Sequence, residues 1–95
     1  MFHLVVTLTA RTAAEIPMIK AAVEQMRPMC LDEPGCVSWD AYHSTADPRV
    51  FTLVEAWEDE QSWDEHGEGE AIQTIYLPKI CAHAERAVHP SRRVE

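Results

Sequence analysis

Residues 50–57, Val-Phe-Thr-Leu-Val-Glu-Ala-Trp, constrain the fold more than any other stretch of this chain. Their β-branched and aromatic composition predicts a strand. Successive side chains of a strand point to opposite faces. Val50, Thr52, Val54 and Ala56 therefore share one face, and Phe51, Leu53, Glu55 and Trp57 share the other. Both sets are largely apolar. A sheet with one wet face alternates cleanly between apolar and polar residues; this strand needs cover on both sides.

Residues 36–43 read the same way. Val37, Trp39 and Ala41 oppose Cys36, Ser38, Asp40 and Tyr42, and each set carries an aromatic residue. Residues 2–9 predict a further strand, with Phe2, Leu4, Val6 and Leu8 on one face and His3, Val5, Thr7 and Thr9 on the other. Between these strands Ile16, Ile19, Val23, Met26 and Cys30 recur in steps of three and four, the stripe of an amphipathic helix. Thr12-Ala13-Ala14-Glu15 predicts a capping box. Pro17 lies too deep for a regular helix started at Thr12, so the helix either begins nearer Glu15 or opens irregularly. Pro28 predicts a tightened last turn, and Glu33-Pro34-Gly35 ends the helix. Asp59–His66 predicts a short helix broken by Gly67 and Gly69. A second helical piece starts near Glu70, with Ile72, Ile75 and Tyr76 inward and Pro78 near its end. Residues 83–89 predict a last strand.

The order is β-α-β-β-α-β, an α+β chain of ferredoxin-like βαββαβ type with a four-stranded antiparallel sheet. A length of 95 residues supports one domain, residues 1–95, with residues 90–95 expected to fray. Both helices must cover one sheet face. A second copy of the sheet is the economical cover for the other, which predicts a homodimer.

The net charge is −8, and half of the 16 acidic residues lie between Glu55 and Glu70, where no Lys or Arg occurs. That run would repel phosphate backbones and argues against nucleic-acid binding; its bland reading is a solvated helix face. No apolar run approaches the ~20 residues of a membrane span, and the start lacks the pattern of a signal peptide. A cytoplasmic location, away from membranes, is the expectation. Cys30, Cys36 and Cys81 are odd in number and lack zinc-type spacing. Buried reduced thiols are expected, with a Cys30–Cys36 redox pair as the minor alternative.

Two blocks carry a family resemblance. Glu33-Pro34-Gly35-Cys36-Val37-Ser38-Trp39 resembles the turn-to-strand signature of the antibiotic biosynthesis monooxygenase family. Val54 to His66, with Glu55, Trp57, Trp63 and His66, resembles that family's second block. The resemblance spans nearly the whole chain and implies a dimeric α+β barrel. The family includes cofactor-independent oxygenases of quinols and anthrones, haem-degrading enzymes, and an isomerase-like branch. The haem branch would place its iron-ligating His at Tyr76 and its bulky Trp at His66, so both of its signatures are altered here. For the oxygenase branch, Trp57 matches a pocket-lining tryptophan. Leu53 stands where the best-known members carry an Asn, and Glu70 stands where a second His often follows.

Cofactor-free oxygenation needs an apolar cavity, aromatic walls and a group that takes a proton. Trp57, Phe51, Leu53, Trp63 and Tyr76 are candidates for the walls, with Tyr76 also able to donate to a substrate oxygen. His66 is the candidate base, since histidine titrates nearest neutrality. Against this, the plainer and slightly favoured reading of His66 is an exposed polar residue at a helix end just before Gly67, stabilised by the helix dipole. A carboxylate inside an apolar strand is costly unless paired, so Glu55 is expected to have a partner, with Arg86 the candidate, while also facing substrate. His66-x-x-x-Glu70 offers only two metal ligands, so no metal is expected, and the oxygenase reading implies no cofactor. The leading expectation is a monooxygenase joining dioxygen to a small aromatic phenol or quinol. The alternatives are a non-catalytic dimeric barrel binding a small apolar metabolite, and an isomerase or detoxifying enzyme acting on a small carbonyl compound.

Overall fold

The computed structural model describes residues Met1–Glu95. β1 (Phe2–Ala10), α1 (Ile16–Leu31), β2 (Cys36–His43), β3 (Val50–Trp57), α2 (Glu60–Gly67), an 11-residue π-helix (Ala71–Cys81) and β4 (Ala84–Ser91) follow in chain order. The four strands form one antiparallel sheet in the order β2-β3-β1-β4, with all three helices against one face. This is the α+β, ferredoxin-like arrangement that the element order predicts. No helix is long and apolar enough to cross a membrane.

The helix-covered face holds the core. Leu4, Val6, Leu8 and Ala10 of β1 meet Phe51, Leu53 and Trp57 of β3, and Ile19, Val23, Met26 and Cys30 of α1 lie over them. These positions follow the period of two on the strands and the three-four steps on α1. On the opposite face, Val5, Thr7, Val50 and Thr52 are half-buried, and Val54 and Tyr42 are exposed, without cover from this chain.

The start of α1 resolves the conflict between the capping box and Pro17. A 3-10 turn, Ala13–Glu15, precedes the helix, and Pro17 falls in the first turn of α1, where its missing N–H costs nothing. The Thr12 backbone N–H donates to the Glu15 carboxylate at 3.0 Å.

Three local expectations need correction. In β2, a bulge between Cys36 and Ser38 lets Cys36 pair with Trp57 while Ser38 pairs with Ala56. The extra residue, Val37, is exposed, and Cys36 joins the Trp39–Ala41 face instead of opposing it. In the segment after Gly69, Ala71 and Tyr76 are buried together, as are Ile75 and Ile80. Those pairs are five residues apart, the period of i→i+5 bonding, and Ile72 is left half-buried at the edge. Pro78 lies in the last turn of this wide helix, near its end as expected. In β4, Pro90 and Ser91 are not frayed but stand opposite Leu4 and His3. β4 is an edge strand, where a proline needs no ladder partner for its absent N–H.

Candidate functional site

A cavity of about 320 Å³ opens between the helices and the sheet. Its floor is Val6, Leu53 and Val88 of the sheet, and its walls include Met26, Trp39, Trp63, Ile72 and Tyr76. Four polar groups reach it: Glu55 from β3, His66 and Asp64 from α2, and Arg86 from β4. The size lies at the small end of ligand pockets, which suits a molecule of one or two rings.

Glu55 is 5 % exposed. Its partner is not Arg86 but the Trp57 indole, whose Nε1–H donates to Oε1 at 3.0 Å. The two are next-but-one neighbours on β3, so their side chains rise from the same face. Burial raises the Glu55 carboxyl above the usual range; the Trp57 hydrogen bond and the nearby His66 offset part of that shift. Across the β2–β3 ladder, Trp39 stands directly opposite Glu55. Its N–H favours the Glu55 charge but stops short of hydrogen-bonding geometry, and it is the one buried side-chain N or O atom without a partner.

His66 is not the exposed helix-end residue of the bland reading; it is 4 % exposed. Asp59 starts α2 by accepting from the Ser62 backbone N–H at 2.8 Å, which fixes the helix phase that turns His66 inward. The imidazole Nδ1 lies 2.7 Å from Glu33 Oε1, and the ring packs against Trp57 with centroids 4.5 Å apart. A carboxylate only accepts, so Nδ1 carries a proton, and in the neutral ring the lone pair sits on Nε2. The partner of His66 is thus Glu33, in the turn after α1, and not Glu70, four residues on. Positive φ at Gly35 (83°) turns the chain directly after Pro34, and Glu58 N–H donates to Gly35 C=O at 2.8 Å. The Glu-Pro-Gly turn is thereby clamped beside α2, which is what brings Glu33 to His66.

Tyr76 is buried from the π-helix, and its hydroxyl accepts from Arg86 Nη1 at 3.4 Å with the guanidinium 5.5 Å above the ring. Burial pushes the Tyr76 hydroxyl up despite Arg86. Trp63 lies on the cavity wall and stacks on Phe2. Leu53 is on the floor. Trp57 stands behind the wall, touching the cavity through Glu55 and His66. Phe51 is remote from it, stacked on His43 with centroids 4.1 Å apart. His43 itself is exposed and bonded to the Pro48 carbonyl.

Sequence reasoning missed Trp39, Glu33 and Arg86 as site residues. Glu33 and Trp39 stand in the sequence as the two ends of the first family block, and Glu33 also as turn chemistry, but the 33 positions between Glu33 and His66 hide their pairing. Cys30, Glu33 and His66 do place one donor atom each within 4.8 Å of one another. Glu33 and His66 already satisfy each other there, and burial holds the Cys30 proton tightly. All three cysteines are free thiols.

The family model for antibiotic biosynthesis monooxygenases matches residues 1–76, and the chain belongs to that family. A crystal structure of an antibiotic biosynthesis monooxygenase superposes over 100 % of both chains with a TM-score of 0.91 at 22 % identity. A Pseudomonas aeruginosa protein gives 0.89 at 18 % identity over 99 % of this chain and 94 % of its own. A Shewanella oneidensis protein gives 0.82 at 24 % identity over 95 % and 88 %. At these identities the likeness concerns the fold. The sequence matches no curated protein.

Proposed function

We propose that this chain is a cofactor-independent monooxygenase of small aromatic phenols or quinols. The observation that carries the reading is His66 at the wall of an apolar cavity, held by Glu33 through Nδ1 so that Nε2 is left as the proton acceptor. The same logic orients the histidine of a hydrolase triad. In this reading His66 takes the phenol proton, and Trp57 fixes the ring from behind. Tyr76, with Arg86 on its hydroxyl, faces the anion. Leu53, Trp63 and Glu55 contact the substrate, while Phe51 supports the sheet beneath. The arenolate bonds to dioxygen at an activated ring C–H carbon. Loss of that hydrogen and cleavage of the O–O bond give a ring carbonyl, and the second oxygen atom leaves as water. The electrons come from the substrate.

Residues 1–95 act as one domain, in the cytoplasm, and as a homodimer joined through the uncovered sheet face. The exposed Val54 and Tyr42 on that face support this. Light scattering that gives the mass of one chain at micromolar concentration would refute the dimer.

The activity is tested by oxygen uptake without added cofactor, using dihydroquinones, anthrones and catechols. The expected result is uptake above autoxidation that is lost in His66→Gln and reduced in Glu33→Gln, both checked for folding by circular dichroism. The apolar Leu53 on the cavity floor favours a second reading, a binding protein for an apolar metabolite. Tight binding with no uptake from any compound would decide for it.

A further inference from the structure

Cys30, Glu33 and His66 meet where the end of α1, the turn after it and α2 close on one another. The Glu33 backbone N–H donates to the Cys30 carbonyl at 3.1 Å, which curls the turn back over the thiol. From the other side α2 sets His66 against the Glu33 carboxylate. A sulfur, an oxygen and a nitrogen, one from each residue, all lie within 4.8 Å of one another. Cys30 is fully buried and His66 nearly so. Beside them lies a second hollow, of about 390 Å³, which Glu33 and His66 share with Asp32, Glu65 and Glu70. It is lined by carboxylates and by no Lys or Arg, so its field draws cations towards Glu33 and His66.

The donor set selects the ion. Calcium and magnesium take oxygen ligands. Zn²⁺ takes thiolate, imidazole and carboxylate together, at about 2.3, 2.0–2.1 and 2.0–2.2 Å. In a tetrahedron those lengths set the donor atoms ~3.3–3.6 Å apart. Glu33 and His66, 2.7 Å apart here, would open by about 0.6 Å, and the sulfur would close in from at most 4.8 Å by about 1.2 Å. A thiolate and a carboxylate cancel the charge of a dication, so the filled site is neutral, as a buried place requires. We infer that Cys30, Glu33 and His66 form a three-ligand Zn²⁺ site whose fourth position faces the acidic hollow. As the ion binds, the Cys30 proton leaves to solvent and the His66 hydrogen passes from Nδ1 to Nε2, so one proton is released per ion. The consequence for activity rests on the proposed oxygenase reading, in which Nε2 is the proton acceptor. Zn²⁺ on Nδ1 leaves Nε2 carrying the hydrogen, so the ion switches the base off. The site is inhibitory and supplies no chemistry of its own.

The test uses Co²⁺, which occupies zinc sites and reports them by colour. Chelator-treated protein is titrated with Co²⁺, and the Zn²⁺ affinity follows from loss of the colour on displacement. Expected are one ion per chain, one proton released with it, tetrahedral bands in the visible and a thiolate-to-cobalt band in the near ultraviolet. Cys30→Ala should lose the thiolate band and at least about tenfold in affinity. Glu33→Gln should lose at least about tenfold while keeping the band, and Cys36→Ala should change neither. NMR of the imidazole should find the His66 hydrogen on Nδ1 before Zn²⁺ and on Nε2 after it. A pale octahedral spectrum without the thiolate band, a band that survives Cys30→Ala, or a His66 hydrogen that stays on Nδ1 would overturn the site. Should Cys30→Ala fail to fold, Glu33→Gln and the imidazole spectrum decide. In oxygen uptake, Zn²⁺ should stop the native protein and spare Cys30→Ala; native uptake that persists at saturating Zn²⁺ would overturn the switch. The cobalt bands and the moved hydrogen, together with no uptake from any compound before Zn²⁺ is added, would sustain the site and defeat the oxygenase reading.

Discussion

Gly35→Ala tests how the Glu-Pro-Gly turn holds the site together. Gly35 has a φ of 83°, in the left-handed region. A side chain there costs about 1–2 kcal/mol from backbone crowding alone. A Cβ on Gly35 would also collide with the Ser62 side chain, whose Cβ lies 2.5 Å from the position it would take. Overpacking of that kind costs about 1–3 kcal/mol. The sum, about 2–5 kcal/mol, is a large share of the roughly 5–15 kcal/mol that holds a typical domain folded. The two parts separate in a double-mutant cycle with Ser62→Gly, which removes the obstructing Cβ. Ser62→Gly alone loses the hydroxyl bond to Asp59 and weakens α2 by about 1 kcal/mol. In the double variant the clash is gone, so a coupling of about 1–3 kcal/mol should appear, with the left-handed penalty remaining. Urea unfolding followed by circular dichroism, with matching slopes among the four proteins, measures each corner. A coupling below about 0.5 kcal/mol, the usual limit of additivity, would refute the claim that Gly35 and Ser62 are pressed together.

Other outcomes follow from individual groups. Trp57→Phe removes the donor to Glu55 and should destabilise by about 1 kcal/mol or more; a loss under about 0.5 kcal/mol in urea titration would argue against that bond. Burial raises the Glu55 carboxyl, so the folded state holds that proton to higher pH than the unfolded one. Stability should therefore fall as pH rises from the usual carboxylate range through the raised value and then level off, and Glu55→Gln should abolish that segment of the stability–pH curve. Glu15 shifts the other way, held low chiefly by its hydrogen bond with His83. In His83→Ala, the Glu15 titration followed by NMR should move up towards the usual carboxylate range; an unmoved titration would show that His83 is not the cause. Cys30 is fully buried with its thiol pushed up, so a thiol reagent should modify Cys36 and Cys81 first and reach Cys30 only on unfolding.

The fold was legible because its signals are periodic. Alternation in residues 2–9 and 50–57, and three-four spacing from Ile16 to Cys30, each report a face directly. What was not legible depends on local geometry that breaks the period. The π-helix moves burial to steps of five, so Ala71 and Ile80 were missed as core, and Ile72 was placed too deep. In the site, His66, Trp57, Leu53, Trp63 and Tyr76 carry their signal in a family block or an apolar pattern. Glu33, Trp39 and Arg86 come together only through the fold: a turn against a helix, a register across two strands, a side chain from the last strand. No spacing along the chain encodes those meetings. The expected Glu55–Arg86 pair failed for the same reason. Both residues do reach the cavity, but Glu55 lies level with Leu4 and Arg86 with Leu8, four residues along β1 and on opposite sides of it.

The bulge at Val37 acts on β2 as an expansion joint acts on a bridge. Val37 and Ser38 together fill the single outward place opposite Ala56, so Cys36 and Trp39, an odd number of positions apart, both lie on the helix-covered face. With Val37 deleted and the Cys36–Trp57 pairing kept, Ser38 would still stand opposite Ala56 and Trp39 opposite Glu55. The chain can therefore change length by one residue here without moving the cavity wall. Relatives that lack this one residue should keep the same pocket.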